Sequence, residues 1–217
     1  QTEMEYQLRN WYYFAWLSGD HIVEQHVHNL DVCNWVKGEF PRKCQGMGGR
    51  EVRDGKEYGE IYDHHAVEFE YPDGVRMFSQ CRHQPGTWAN VSEHIIGTKG
   101  LAETDRPHVI RGHDRKILFR YRSRQPVDPY QQEHDELFDA ILNNKELDNS
   151  EYGIKSTLTG IMGRMATYGG QQVLFEDAMN SEIDLFPEKL AWDAKPRLLP
   201  NADGFYPVAV PGKTVTV

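Results

Sequence analysis

The spacing of apolar residues predicts a helical beginning for this chain, a central run of strands and a helical end. Between residues 21 and 36 the apolar side chains recur with the period of an α-helix. Ser18 or Asp20 can cap the first turn, and Gly38 can end the helix in a left-handed conformation. We therefore expect one helix across this segment.

The centre of the chain changes to the period of a β-strand. Residues 61–71 place apolar and polar side chains on alternate faces. Pro72-Asp73-Gly74 is a turn signal, and the alternation resumes over residues 75–83. The two runs therefore predict a β-hairpin.

The remaining elements complete a mixed fold. Further strands are predicted at residues 43–47, 91–96 and 116–121, and helices at residues 130–144, 157–168 and 172–179. The proline-rich tail from Trp192 onward is expected to lie extended on the surface. This order predicts an α+β fold, an open, largely antiparallel β-sheet covered on one face by helices. We expect one domain over residues 1–217, with the exposed sheet face serving as the interface of a homo-oligomer.

The composition of the chain argues against some classes of protein. The formal charge of −9 argues against a nucleic-acid partner, because phosphate binding needs clustered lysine and arginine. No apolar run approaches the roughly 18 residues that span a membrane, and no signal peptide precedes the fold, so we expect a soluble protein. Cys33, Cys44 and Cys81 lack paired or metal-type spacing and are interpreted as free thiols.

One row of residues along the predicted helix contains candidate catalytic side chains. Glu24 and His28 lie four residues apart, and Asp31 and Trp35 continue the row. A carboxylate one turn from an imidazole can orient it and raise its basicity, as a general base requires. The same spacing is also common in exposed surface pairs, so both interpretations stay open.

A metal site is the alternative interpretation of this segment. Several histidines and one glutamate are dense enough to suggest ligands: His21, Glu24, His26, His28, His64 and His65. However, His26 and His28 are two residues apart and therefore face different ways on a helix. We expect no bound metal.

The same segment resembles the C-terminal domain of the glucose–fructose oxidoreductase and inositol dehydrogenase family (Gfo/Idh/MocA). Members often carry a helix that reads G-G-x-x-x-D-x-x-x-H-x-x-D with a tryptophan four residues beyond. The matching positions are Gly19, Asp20, Glu24, His28, Asp31 and Trp35, followed by Gly38. Asp20 replaces the usual second glycine, and Glu24 replaces the usual aspartate. Four further segments look like those of a subgroup of the family found in bacterial sugar-degrading clusters. They are the aromatic stretch RNWYYFAWLSG and the motifs SQCRHQPG, GTKG and YPVAVPG.

The resemblance implies roles for particular residues. His28 would be the acid/base on the hydroxyl being oxidised, with Glu24 beside it. Arg9, Tyr12, Tyr13 and Asp31 would contact substrate, although core packing explains the aromatic residues equally well. In the GTKG motif the glycines would form a structural turn.

The resemblance also places the cofactor outside this chain. Neither a G-x-G-x-x-G fingerprint after a first strand nor the family's Glu-Lys-Pro motif occurs here. NAD or NADP would be bound mainly by a Rossmann domain absent from this chain, and Gln1 would fall just after the junction. The implied activity is oxidation of a hydroxyl of a sugar, glycoside or cyclitol. The alternatives are a non-redox binding or oligomerisation module, and NAD-assisted elimination or glycoside cleavage on the same fold.

Overall fold

The computed structural model describes residues 1–104, 108–122 and 127–217. These residues form two compact units, of which the first comprises Gln1–Ala89 and Lys155–Val217 and the second Asn90–Ile154. Each unit combines helices with an antiparallel four-stranded sheet, so the α+β class is confirmed. The expected single sheet is two sheets, because the strands of the two units do not pair with each other. One domain over residues 1–217 stays a prediction.

The aromatic beginning of the chain folds into short helical pieces. These are α1 (Glu3–Arg9), a 3-10 turn (Trp11–Tyr13) and α2 (Ala15–Ser18). Thr2 and Glu5 cap α1 reciprocally. Phe14 and Trp16 are buried in a cluster that includes Tyr206 from the tail. The expectation that the tail lies only on the surface is therefore wrong, because one of its side chains belongs to a core.

The helix expected over residues 21–36 is interrupted. It consists of α3 (His21–Glu24) and α4 (Val27–Lys37). The backbone N–H of His26 donates to the carbonyl of His21, five residues earlier, which opens one wide turn between them. The predicted ends hold: the Asp20 side chain accepts from the first turn, and Gly38 ends α4 with φ 69°.

The sheet of the first unit contains the predicted hairpin. Its strands are β1 (Lys43–Gly49), β2 (His64–Glu70), β3 (Arg76–Arg82) and β8 (Val173–Leu174), in the order β3-β2-β1-β8. Val67 and Phe69 point from β2 into the main core, where they meet Ile22 of α3 and Met162 of α6 (Ser150–Gly169). The alternation of apolar and polar residues along β2 therefore corresponds to side chains that point alternately into the core and away from it.

Helices cover only one face of this sheet. A Cβ on Gly163 of α6 would lie 2.8 Å from Ile22 Cδ1 and 3.1 Å from Phe69 Cζ, so a glycine is needed for this close approach. On the opposite face Met47 and Phe78 are 77% and 74% exposed. The helix α7 (Phe175–Met179) follows β8 directly. None of the helices in the described ranges is long and apolar enough to cross a membrane.

The second unit is a four-stranded meander followed by a helix. Its elements are β4 (His94–Gly97), β5 (Gly100–Glu103), β6 (Val109–Gly112), β7 (Ile117–Arg120) and α5 (Pro129–Leu142). Gly97 pairs with Gly100 around a two-residue loop, which confirms that the GTKG motif is a turn. Strands β5 and β6 are absent from the predicted elements, whereas β4 and β7, which are equally short, overlap predicted strands.

Glu60 has a partly buried carboxyl group whose ionised form the fold disfavours. Its Oε1 accepts the backbone N–H of Ala15 at 3.0 Å. Burial raises the pKa of Glu60 to about 7, against the opposing effects of that hydrogen bond and of Arg164, while Asp20 adds to the increase. Between the ordinary value of 4.5 and about 7 the folded chain holds a proton that the unfolded chain has lost. Stability therefore falls as the pH rises through this window.

We predict that Glu60→Gln removes this fall, because a neutral amide keeps the acceptor for Ala15 without the buried charge. At about pH 8 the variant should be more stable than the parent by on the order of 3 kcal/mol, with little difference near pH 5. Urea unfolding across this range measures the effect. The exposed Glu57→Gln serves as the control and should keep the parent's pH dependence; the same dependence in Glu60→Gln would contradict the prediction.

Candidate functional site

The carboxylate of Asp20 lies at the centre of a buried polar network between α3 and β2. Its Oδ1 accepts from the ring Nδ1 of His21 at 2.7 Å and from the backbone N–H of the same residue. Its Oδ2 accepts the Tyr168 hydroxyl at 2.6 Å and the Tyr62 backbone N–H at 2.9 Å. Asp20 itself is fully buried. Four donors therefore satisfy a charge that no water reaches.

Asp20 also adopts an unusual backbone conformation. Its φ of 72° and ψ of 162° lie in a region that is essentially restricted to glycine. Burial alone would raise the pKa of Asp20, but the neighbouring His65 and His21 more than reverse this and hold it well below its ordinary value. The hydrogen bonds to the carboxylate offset a backbone strain of roughly 1–3 kcal/mol.

Two buried imidazoles border this carboxylate. His65 Nδ1 lies 2.9 Å from Thr167 Oγ1, and burial lowers the pKa of His65. The Nε2 atoms of His21 and His65 are both buried without a hydrogen-bond partner. His65 Nε2 is 3.3 Å from Asp20 Oδ2, within ion-pair distance. Asp20, His21 and His65 are therefore the residues here that could hold a cation.

A second, more accessible polar group adjoins the first. The Tyr12 hydroxyl and His83 Nε2 both contact Gln25 Oε1, at 2.9 and 2.8 Å, and lie 3.0 Å from each other. The rings of His21 and His83 are 4.9 Å apart, which connects the two groups. Burial lowers the pKa of His83 to about 4, so its ring is neutral near pH 7.

Glu24 and Arg53 add opposite charges to this group. Both influence the pKa of Tyr12, which burial and then the Glu24 charge raise to about 12. The Arg53 guanidinium lies over the rings of Tyr13 and Tyr58, at 5.7 and 5.9 Å. Glu24 Oε2 and Arg53 Nη1 are buried and have no hydrogen-bond partner within the described chain. A buried acceptor and a buried donor thus stay unsatisfied beside the same tyrosine.

These side chains form what we call the polar pocket, defined by Tyr12, Glu24, Gln25, Arg53 and His83. It combines a carboxylate, an amide, a guanidinium, an imidazole and a phenol hydroxyl. Such a set can both donate to and accept from a ligand that carries several hydroxyl groups.

The structure separates the predicted acid/base pair. Glu24 ends α3 and faces the polar pocket, whereas His28 lies on α4 beyond the wide turn with an exposed side chain. Neither a hydrogen bond nor an ion pair joins Glu24 to His28 in the part of the chain that is described. Because α3 and α4 are separate helices, the four-residue spacing does not place the two side chains on one regular row. The role of His28 stays a prediction.

The other predicted site residues have different surroundings. Tyr12 is in the polar pocket, and Tyr13 packs edge-on against Tyr58. Asp31 accepts a hydrogen bond from Ser156 Oγ at 2.6 Å, which ties α4 to α6. Arg9 is exposed and borders a surface depression lined by Glu5, Leu8 and Trp192. The structure therefore brings Tyr12 and Glu24 together and leaves Arg9 and Asp31 elsewhere.

Sequence analysis missed three residues of the polar pocket. Gln25 belongs to no motif, Arg53 lies in an irregular segment with no periodicity, and His83 appears only within the SQCRHQPG motif at the end of the predicted hairpin. That hairpin end was the one available signal, and the structure places His83 just after β3. The approach of Arg53 to Tyr12 depends on a loop that no pattern describes.

The fold is similar to that of solved sugar and cyclitol oxidoreductases. Aldose–aldose oxidoreductase from Caulobacter crescentus, complexed with glycerol, is 18% identical with a TM-score of 0.56 over 76% of this chain and 50% of that one. Myo-inositol 2-dehydrogenase from Lactobacillus plantarum is 15% identical with a TM-score of 0.54, over 72% and 49%. Scyllo-inositol dehydrogenase from Lactobacillus casei, with bound NAD(H) and scyllo-inositol, is 20% identical with a TM-score of 0.51, over 70% and 47%.

These structures are Gfo/Idh/MocA-type oxidoreductases, the family that the sequence resemblance indicated. The chain spans about half the length of the structures it matches. No family model matches the chain, and no curated protein matches it in sequence. At identities of 15–20% the likeness establishes the fold alone.

We predict that Asp20→Gly destabilises the chain although it relieves the backbone strain. The lost carboxylate leaves the Tyr168 hydroxyl, the Tyr62 N–H and His21 Nδ1 without an acceptor, at about 1–3 kcal/mol for each buried group. Net destabilisation should be on the order of 3 kcal/mol by chemical unfolding. Asp20→Asn should also destabilise, because its amide places donors against donors, while the exposed Asp203→Asn should change little. A glycine variant as stable as the parent would show that strain outweighs the network.

Proposed function

We propose that this chain is the substrate-binding part of a nicotinamide-dependent oxidoreductase that acts on a hydroxyl group of a sugar, glycoside or cyclitol. The polar pocket is the observation that carries the proposal. Solved structures of this fold are named as aldose and inositol oxidoreductases, and two of those cited contain glycerol or scyllo-inositol. A polyhydroxylated ligand suits both the fold and the pocket.

The unsatisfied atoms of the polar pocket fit such a ligand. A hydroxyl group can donate to Glu24 Oε2 and accept from Arg53 Nη1, which are the two buried atoms there without partners. The faces of Tyr12 and Tyr13 suit the apolar C–H faces of a sugar ring. Binding would therefore satisfy polar atoms that the free chain leaves unpaired.

The glycine-rich segment of this chain does not have the setting of a dinucleotide-binding loop. The glycine-rich segment 46–49 lies within β1 of an antiparallel sheet, not in a turn between a strand and a helix. NAD or NADP would therefore be held by a separate dinucleotide-binding domain of the parent protein. The chain would contribute the substrate site and the residue that takes the hydroxyl proton.

His28 is the residue that we propose for this proton transfer. Its imidazole is exposed on α4, so it can face a substrate held between this chain and a cofactor domain. Glu24, on the other side of the wide turn, would bind the substrate rather than orient His28. An imidazole is suited to this task because its proton exchange falls near neutral pH.

In the full-length parent protein, His28→Ala should lower kcat/KM for the oxidised polyol by about 10²–10⁴-fold. Glu24→Gln should chiefly raise KM, because it weakens one hydrogen bond to the substrate. The exposed His134→Ala is the matched control. Reduction of NAD or NADP with a panel of sugars, glycosides and cyclitols measures turnover, and calorimetry should show cofactor binding unchanged. Full turnover by His28→Ala would exclude it as the acid/base.

The assay of NAD or NADP reduction also distinguishes oxidation from the alternative activities. Elimination or glycoside cleavage would consume substrate without net accumulation of reduced cofactor. A binding or oligomerisation module would bind the polyol, or associate with itself, with no turnover in any variant.

We also propose that the exposed face of the β1–β3 sheet joins two copies of this chain. Met47 of β1 and Phe78 of β3 are exposed on this face, with Ala66 and Glu68 of β2 between them, and Met47 and Ala66 are directly paired in the register. Two large apolar side chains this exposed on one face of a sheet suit a contact surface. A second copy presents the same surface, so the contact can be two-fold symmetric.

Phe78→Glu should therefore convert a dimer into a monomer at micromolar concentration, because it places a charge at the centre of the apolar surface. Light scattering after size-exclusion chromatography measures the mass. Val215→Glu, at another exposed apolar position, should leave the dimer intact. A parent chain that is monomeric at high concentration would refute the interface.

A further inference from the structure

Within the described ranges, one group of three potential metal ligands is formed by Asp20, His21 and His65. Their ligand atoms all lie within 4.8 Å of one another. All three residues are at most 2% exposed. The group joins α3 to β2, at the base of the polar pocket and distinct from it.

The hydrogen bonds around His65 leave one of its nitrogens free. Thr167 Oγ1 lies 3.0 Å from the carbonyl oxygens of Gly163 and Arg164, to which its hydroxyl donates. When this single hydroxyl proton goes to a carbonyl oxygen, Thr167 Oγ1 can accept from His65 Nδ1–H at 2.9 Å. In this tautomer the lone pair of His65 Nε2 faces Asp20 Oδ2, 3.3 Å away. An imidazole lone pair and a carboxylate oxygen at this distance are unfavourable unless a proton or a metal ion lies between them.

The separation of these atoms suits a metal ion. Two ligands of a tetrahedral zinc ion, each about 2.0–2.1 Å from the metal, lie about 3.3 Å apart. His21 Nδ1 lies 2.7 Å from the other carboxylate oxygen, Asp20 Oδ1. It can supply the third ligand when the metal ion takes the place of the proton on this nitrogen. Two imidazoles and a carboxylate are a common ligand set for first-row divalent metals.

We propose that Asp20, His21 and His65 bind one first-row divalent transition-metal ion, for which Zn²⁺ is the probe. The ligands are His65 Nε2, His21 Nδ1 and the Asp20 carboxylate, with water completing the coordination. Since all three residues are buried, the ion fastens α3 to β2 and does not open to solvent. Thr167 acts as a positioning residue, because it fixes the His65 ring through Nδ1. This inference does not depend on the proposed oxidoreductase activity.

Calorimetric titration of the metal-stripped chain with Zn²⁺ tests the proposal. One equivalent should bind to the parent chain, and Co²⁺ should give the visible absorption of a four-coordinate site. His65→Gln should abolish this binding. Thr167→Val should weaken it by about 10–100-fold while the ligands remain. Circular dichroism establishes that each variant is folded, and Zn²⁺ should raise the melting temperature of the parent but not of His65→Gln.

His113→Ala and His134→Ala are the controls, since both histidines are exposed and lie outside the group. They should bind Zn²⁺ like the parent. Two results would overturn the proposal. One is equal Zn²⁺ affinity in the parent and His65→Gln. The other is a nitrogen NMR spectrum in which His65 Nε2 keeps a proton in the presence of equimolar Zn²⁺, which would show that a proton bridges to Asp20.

Discussion

The carboxylate of Asp20 joins three separate parts of the larger unit, namely α3, the segment before β2 and α6. It caps α3, holds the ring of His21, accepts the backbone of Tyr62 before β2 and accepts the Tyr168 hydroxyl from α6. Each of these groups is buried, so each depends on this one acceptor in place of water. The backbone of Asp20 has a positive φ that is strained for any residue but glycine.

This network sets the position of the polar pocket. His21 is held by Asp20 and packs against His83, and His83 in turn contacts Tyr12 and Gln25. The polar pocket therefore adjoins a buried base that Asp20 holds together, and Glu24 Oε2 and Arg53 Nη1 of the pocket are buried without a hydrogen-bond partner.

Local patterns predicted those elements whose burial repeats over many residues. The hairpin of β2 and β3 was recognised because both strands alternate over seven residues and Pro72-Asp73-Gly74 separates them. The break between α3 and α4 was missed, because the apolar residues on both sides still follow a helical period. Strands β5 and β6 were missed although β4 and β7, which have the same length, were predicted.

The sequence by itself determined the α+β class, the caps at Asp20 and Gly38, and the candidacy of Tyr12 and Glu24. Each of these follows from neighbours close in the chain, which period, turn chemistry and a motif can report. Only the tertiary structure decided that the charges of Glu24 and Arg53 both act on Tyr12, and that His65 lies within ion-pair distance of Asp20, 45 positions away in the chain. Such contacts depend on how an irregular loop and a wide helical turn direct their side chains. No short-range pattern encodes that direction.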